Sequence, residues 1–382
     1  MKKKSLLNIA VCFAVCFIAV SLLFGSAYAK TLKIGSMGPL TGPYAADGND
    51  IKNGVLTAIK VIESEGGIPG FDKIKLYAQD TACDPKQAVA SANKLINLEV
   101  VGVIGAYCSS STIPASETLA EEDIIIITPA STHQDVTDRG LPYVFRMCGR
   151  DDAQAPAAVK FMKEALKAKT VFIVDDKTTY SQGLADGVAK ECERIGINIL
   201  DREHVNQGDK DFSAVLTMAK SRNADVLYMS LQNHSSGSIM ALQAKRIRLN
   251  STILSNDAML HPNFIKVAKK AAEGVCVTYG YTDKSTAAYK QYAKIFAGNY
   301  GEVGAYGTYA YDAAISLLKA IKAAHSTDPA KIKAEMMKLD YMGASKHIKF
   351  DANLDSGSSY IAFKIQNGEY VPYWSPVKGF WK

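Results

Sequence analysis

The 382-residue chain is 48% hydrophobic and 21% charged, with 28 glycines and 12 prolines, so it carries enough apolar material for packed cores and is not disordered, collagenous or of low complexity. Its formal charge of +6 is too weak a surplus for a nucleic-acid-binding surface. Apolar residues form a long uninterrupted run only at the N-terminus, which excludes a polytopic membrane protein.

That run opens with Lys2, Lys3 and Lys4, stays apolar from Ile9 to Phe24 and ends in Ala27-Tyr28-Ala29 ahead of Lys30. A basic head, an apolar middle and small residues at the exit are the layout of a secretory signal peptide over residues 1–29, cleaved after Ala29. The run is short for a membrane anchor. Cys12 and Cys16 each follow a valine, where a lipoprotein signal needs Gly or Ala, so lipid attachment is not expected. Cleavage removes three lysines and no acid, taking the formal charge from +6 to +3. The remaining length suits two domains, and export to the periplasm places the chain in an oxidising compartment. Cys83, Cys108, Cys148, Cys192 and Cys276 remain; an odd number leaves at least one without a partner in the chain. None has the Cys/His spacing of a zinc site, and the six histidines are scattered, so no metal is expected.

From Lys30 onward strands and helices alternate. Leu32–Ser36 reads as a buried strand, Ile51–Glu65 as an amphipathic helix stopped by Gly66-Gly67, and Ile74–Gln79 as a strand. Asp84-Pro85 starts a helix that runs to Leu98, with proline at its first position. Strand Val100–Gly105 leads into Ser109-Ser110-Ser111-Thr112, the mouth of another helix, and the β-branched run Ile124–Thr128 follows. The rhythm resumes with strands at Thr170–Val174, Ile197–Asp201, Val226–Ser230, Thr252–Ser255 and Val275–Tyr279. Helices lie between them at Gly183–Ile195, Phe212–Ser221 and Ile239–Arg246. Three successive helices, Thr286–Ala297, Tyr306–Ala324 and Pro329–Leu339, precede strands at Ile348–Phe350 and Tyr360–Ile365. Strands separated by helices of this length predict an α/β, doubly wound fold with parallel sheets covered on both faces. The late helices predict a return of the chain to an earlier lobe.

Enzyme motifs are absent: there is no GxxxxGK[ST], no completed GxGxxG after the first strand, no GxSxG and no HExxH. What stands out instead are two hydroxyl-rich turns, Ala106–Thr112 and Thr128–Thr132, each directly after a strand. Ligands of open parallel sheets bind at such strand ends, where helix N-termini present free N–H groups. Small hydroxyls there can hold a carboxylate without Arg or Lys. Ser109 and Thr132 also suit ordinary N-caps, and the two roles are compatible.

At these turns the sequence resembles the periplasmic leucine/isoleucine/valine-binding proteins of bacterial ABC importers. The resemblance is carried by Asp80-Thr81-Ala82-Cys83-Asp84-Pro85-Lys86-Gln87-Ala88, Cys108-Ser109-Ser110-Ser111-Thr112 and Ile127-Thr128-Pro129-Ala130. It extends to Gly38-Pro39-Leu40-Thr41-Gly42-Pro43, Gly66-Gly67-Ile68, Asp176–Gly183 and Lys210-Asp211-Phe212-Ser213. It implies a type I periplasmic binding fold of two doubly wound lobes joined by three crossovers, closing by hinge motion on a ligand. Lobe 1 is expected at 30–149 and 281–356, lobe 2 at 150–280 and 357–382.

The resemblance further implies a Cys83–Cys108 disulfide, α-carboxylate contacts from Ser109 and Thr132, an ammonium-accepting carbonyl at Ala130 and a cleft tyrosine, Tyr180, from the other lobe. Asp257 stands where the family has an ammonium-binding Glu. Three departures touch the ligand side chain: Asp47 replaces a covering aromatic, Gln232 a cleft tyrosine and Tyr107 an aliphatic. A carboxylate and an amide in an apolar wall would lose hydration against Leu, Ile or Val, which favours a polar or cationic ligand side chain paired to Asp47; otherwise Asp47 caps the helix near Ile51. Tyr309 and Tyr311 lie on the late helix that relatives use near the side chain. The function implied is a monomeric, cofactor-free, non-enzymatic receptor that hands an amino acid to a membrane permease. An extracytoplasmic amino acid or amide sensor on the same fold is the alternative.

Overall fold

The computed structural model describes residues 30–381, so the leader expected at 1–29 lies outside the described residues. Two sheets organise the chain. The first contains β1 (Thr31–Gly38), β2 (Lys73–Asp80), β3 (Gly102–Ile104), β4 (Ile125–Thr128) and β5 (Val144–Arg146), in the order β2-β1-β3-β4-β5. Every pairing in it is parallel. A parallel strand is buried on both faces, so its sequence runs apolar without alternation. In β4, Ile125 and Ile127 enter one core with Ile104 and Phe145, while Ile126 enters the other with Val103 and Val144.

Helices α1 (Ala45–Ser64), α2 (Pro85–Asn97) and α3 (Ser109–Ala120) connect the first four strands. The second sheet takes β6 (Thr170–Asp175), β7 (Asn198–His204), β8 (Val226–Ser230), β9 (Thr252–Ser255) and β10 (Cys276–Gly280), all parallel. Its helices are α4 (Asp151–Glu164), α5 (Thr179–Ile195), α6 (Ser213–Arg222), α7 (His234–Arg246) and α8 (Pro262–Ala268). Next come α9 (Ala287–Tyr300), α10 (Gly307–Ala324) and α11 (Pro329–Met336), then a two-stranded ribbon of β11 (Tyr341–Met342) and β12 (His347–Ile348). Of these, α10 packs along α1 and so belongs to the first lobe. The chain finally adds β13 (Tyr360–Gln366), β14 (Glu369–Ser375) and β15 (Gly379–Phe380) antiparallel to the edge of the second sheet, beyond β10. It passes between lobes three times: after β5, after β10 and before β13.

Several elements differ from their predicted extents. α1 begins at Ala45, not Ile51, because the 3₁₀ turn Gly42–Tyr44 feeds straight into it, and Asp47 and Asp50 ahead of Ile51 are buried acids that hide the amphipathic pattern. α5 begins at Thr179, where Thr178 caps it by accepting from the Ser181 N–H. The strand expected at Ile348–Phe350 is reduced to His347–Ile348. β5, α4 and the strands after β13 were not predicted. In α4, Pro156 interrupts an apolar pattern in which one face is alanine and glutamine. No helix among the described residues is long and apolar enough to cross a membrane.

Candidate functional site

Because β3 and β4 are paired in register, the turns that follow them lie side by side. They are stitched together by hydroxyls. Thr112 Oγ1 and Ser131 Oγ are 2.7 Å apart, Ser131 Oγ donates to the Tyr107 carbonyl at 2.9 Å, and Thr128 Oγ1 donates to the Ala106 carbonyl at 3.0 Å. Thr128 Oγ1 in turn accepts from the Ser131 N–H at 3.0 Å. The second turn is braced from behind by Arg146, which is completely buried at the end of β5. Its guanidinium donates to the carbonyls of Thr132 at 2.9 Å and His133 at 2.7 Å, and to the Asp355 carboxylate at 2.6 Å. A buried cation bonded this fully is satisfied in place and fixes whatever it touches.

The turns face a chamber between the lobes, lined by Tyr107, Cys108, Ser109, Ala130 and Tyr306 from the first lobe and Tyr180, Gln232, Asp257 and Ala258 from the second. Its free volume with the lobes together is about 10 Å³, near the minimum that holds a single water. The disulfide Cys83–Cys108, with Cα atoms 5.5 Å apart, forms part of the wall, and the Gln232 amide rests against its sulfurs. Cys148, Cys192 and Cys276 are buried free thiols.

Among the described residues no Lys or Arg lines the chamber, and Asp257 is its one acidic side chain. Asp257 Oδ1 accepts from the Tyr180 hydroxyl at 2.5 Å and Oδ2 from the Tyr306 hydroxyl at 3.0 Å. Burial drives its carboxyl above the usual range and those hydroxyls pull it back. Across from it, the start of α3 supplies Ser109 and a helix N-terminus, where negative charge is favoured. Asp151, at the first turn of α4, has both carboxylate oxygens buried and unpartnered; burial and the neighbouring Asp257 push it up to about 8.

Ser109, Ala130, Tyr180, Asp257, Tyr107 and Gln232 thus all meet in the chamber. Thr132 is buried with its hydroxyl unpartnered, and its carbonyl accepts from the Asp151 N–H at 2.9 Å. The expected site residues Tyr309, Tyr311 and Asp47 stand outside the chamber's lining. The late-helix tyrosine in the chamber is Tyr306, one residue before α10, whereas Tyr311 packs tilted against Tyr292 and Tyr309 against Tyr279. Asp47 does not line the chamber and makes no capping bond. It is 2% exposed and turned toward His234 and His261 of the other lobe, so two of the histidines read as scattered converge. Arg146 and Asp151 are the supporting residues that sequence reasoning missed; a lone Arg ending an apolar strand was the available signal. A larger open groove, lined by Leu260, Tyr281, Tyr289, Glu302 and Tyr370 among others, lies apart from these groups.

The family model for periplasmic binding proteins matches residues 31–363. The chain belongs to the periplasmic binding protein family. That is a family of binding proteins, not enzymes. Similar relatives include an amino acid binding protein of Pseudomonas aeruginosa, 38% identical over 80% of this chain and 82% of that one. Another is the Leu/Ile/Val-binding protein BraC3 of Rhizobium johnstonii, 37% identical over 84% and 87%. Among solved structures, the leucine-binding protein LivK of Thermotoga maritima superposes with a TM-score of 0.83 at 29% identity, over 89% of this periplasmic binding protein and 97% of that chain.

Proposed function

We propose that the protein is an exported receptor whose two lobes, 30–149 with 281–356 and 150–280 with 357–382, close on an α-amino acid and deliver it to the permease of an ABC importer. The observation that carries this reading is the chamber's polarity: neutral hydroxyl and N–H donors at the start of α3 face a single carboxylate, Asp257. In the pose this supports, Ser109 and Thr132 take the α-carboxylate, and the Ala130 carbonyl with Asp257 takes the ammonium. Tyr180 and Tyr306 hold Asp257 in place. The printed names of the relatives, an amino acid binding protein and a Leu/Ile/Val-binding protein, point the same way.

The ligand's side chain is small and carries a hydrogen-bond donor. Tyr107 and Tyr306 narrow the chamber, and Gln232 Oε1 is buried in its wall without a partner, a group that costs about 1–3 kcal/mol until a donor reaches it. Calorimetry of the mature chain, residues 30–382, with a panel of amino acids tests this. Thr and Ser should bind at least tenfold more tightly than Leu or Ile, and Asp257→Asn should weaken binding by a hundredfold or more. Tight Leu binding with no response to Thr or Ser would remove the side-chain assignment; binding undiminished in Asp257→Asn would remove the whole pose.

A further inference from the structure

Asp47 near the start of α1 belongs to the first lobe; His234, opening α7, and His261, just before α8, belong to the second. The three meet across the boundary, each side chain less than a tenth exposed. His234 Nδ1 is 3.7 Å from Asp47 Oδ2, and His261 Nε2 is 3.8 Å from Asp47 Oδ1, too far for hydrogen bonds. Asp47 Oδ2 and His234 Nδ1 are both buried and unpartnered. One ligand atom from each residue lies within 4.8 Å of the others. Ligands of a tetrahedral zinc, at about 2.0–2.1 Å from the ion, stand roughly 3.3–3.4 Å apart, so small side-chain movements bring all three onto one ion.

We propose that Asp47, His234 and His261 form a clasp for a divalent first-row metal ion of the zinc type, joining the two lobes. Two imidazoles and a carboxylate are the donor set such ions take, with a fourth position left for water. The rings are now stacked, with centroids 4.0 Å apart and planes within 6°, and an ion cannot lie in both planes while they stay parallel. Loading therefore tilts them. It also moves the His261 proton to Nδ1, which gives up its bond from the Asn263 N–H. Because the ligands come from opposite lobes, the full set exists only when the lobes are together, and the ion and a cleft ligand each strengthen the other's binding.

The test uses the mature chain without an affinity tag, stripped with chelator and titrated with Co²⁺ and then Zn²⁺. One saturable equivalent of Co²⁺ is expected, with the visible absorption of a four-coordinate site that Zn²⁺ abolishes by displacement. Asp47→Asn, from one lobe, and His234→Asn, from the other, should each lower Co²⁺ affinity at least tenfold, while exposed His325→Ala leaves it unchanged. Absence of saturable Co²⁺ binding, or binding undiminished in either the Asp47 or the His234 variant, overturns the proposal. The readout is independent of whether an amino acid binds.

Discussion

Asp312, completely buried on α10, accepts from the N–H groups of Ala344 at 2.8 Å and Ser345 at 2.7 Å. Burial outweighs these bonds and pushes its carboxyl up to about 6 from 3.8. The folded state therefore holds the proton more tightly than the unfolded chain does. The stability this gives is complete below pH 3.8 and is lost as pH rises through about 6, an effect of roughly 3 kcal/mol. Asp312→Asn removes that dependence. In urea unfolding the variant should gain on the parent progressively between pH 4 and 7; a difference that stays flat with pH would contradict the assignment. Legibility at this scale followed distance along the chain. Ser109 sits in a hydroxyl-rich turn that stands out locally, whereas Ala130 and Tyr180, the latter in the first turn of α5, entered only through the family resemblance. Asp47, His234 and His261 are drawn together only by the folded chain, and no local pattern marks them.

Helix packing sets where the chamber residues stand. α1 and α10 approach so closely at Gly54 that a Cβ there would lie 2.2 Å from the Gly307 carbonyl oxygen. Gly54→Ala must push the helices apart, and a loss of about 1–3 kcal/mol is expected from overpacking, read as a lower urea midpoint. The same helix pair carries a cap made in trans. Asp50 on α1 accepts from the N–H groups of Gly304, Tyr306 and Gly307 at 3.0, 2.9 and 2.6 Å, serving the N-terminus of α10. That bond set places Tyr306, so Asp50→Ala should weaken ligand binding in calorimetry although Asp50 lines no part of the chamber. Nearby, the disulfide closes a loop of sequence separation 25. Replacing Cys83 and Cys108 together by Ser should cost roughly 3–4 kcal/mol on the chain-entropy account, measured by denaturant unfolding. The regular strand–helix alternation was readable because parallel strands are apolar throughout. The β13–β14 hairpin was missed even though Asn367-Gly368, both at positive φ, marks its turn.

Across the whole molecule, three passages of the chain between lobes leave each lobe built from non-adjacent stretches of sequence. Arg146 stands at the first passage and pairs with Asp355 at the third, 209 positions further along the chain. One buried ion pair thus ties two of the connecting strands to the turn at Ala130–Thr132. Removing one partner leaves an uncompensated buried charge, typically a loss of 3–5 kcal/mol. Asp355→Ala should show it as a lower melting temperature. The boundaries between lobes were hard to read in sequence because no linker composition marks them: the first passage, at 147–149, is buried like a core segment, and the second and third are short, partly exposed stretches.

The hairpin that covers β10 is made from the final stretch of the chain. Until residues 360–382 are available, the second sheet ends in a bare row of peptide groups at β10, the kind of surface that recruits other strands. A nascent polypeptide of this design cannot finish either half early, since one waits for α9–α11 and the other for the closing ribbon. Such built-in delay couples the folding of the two halves in time.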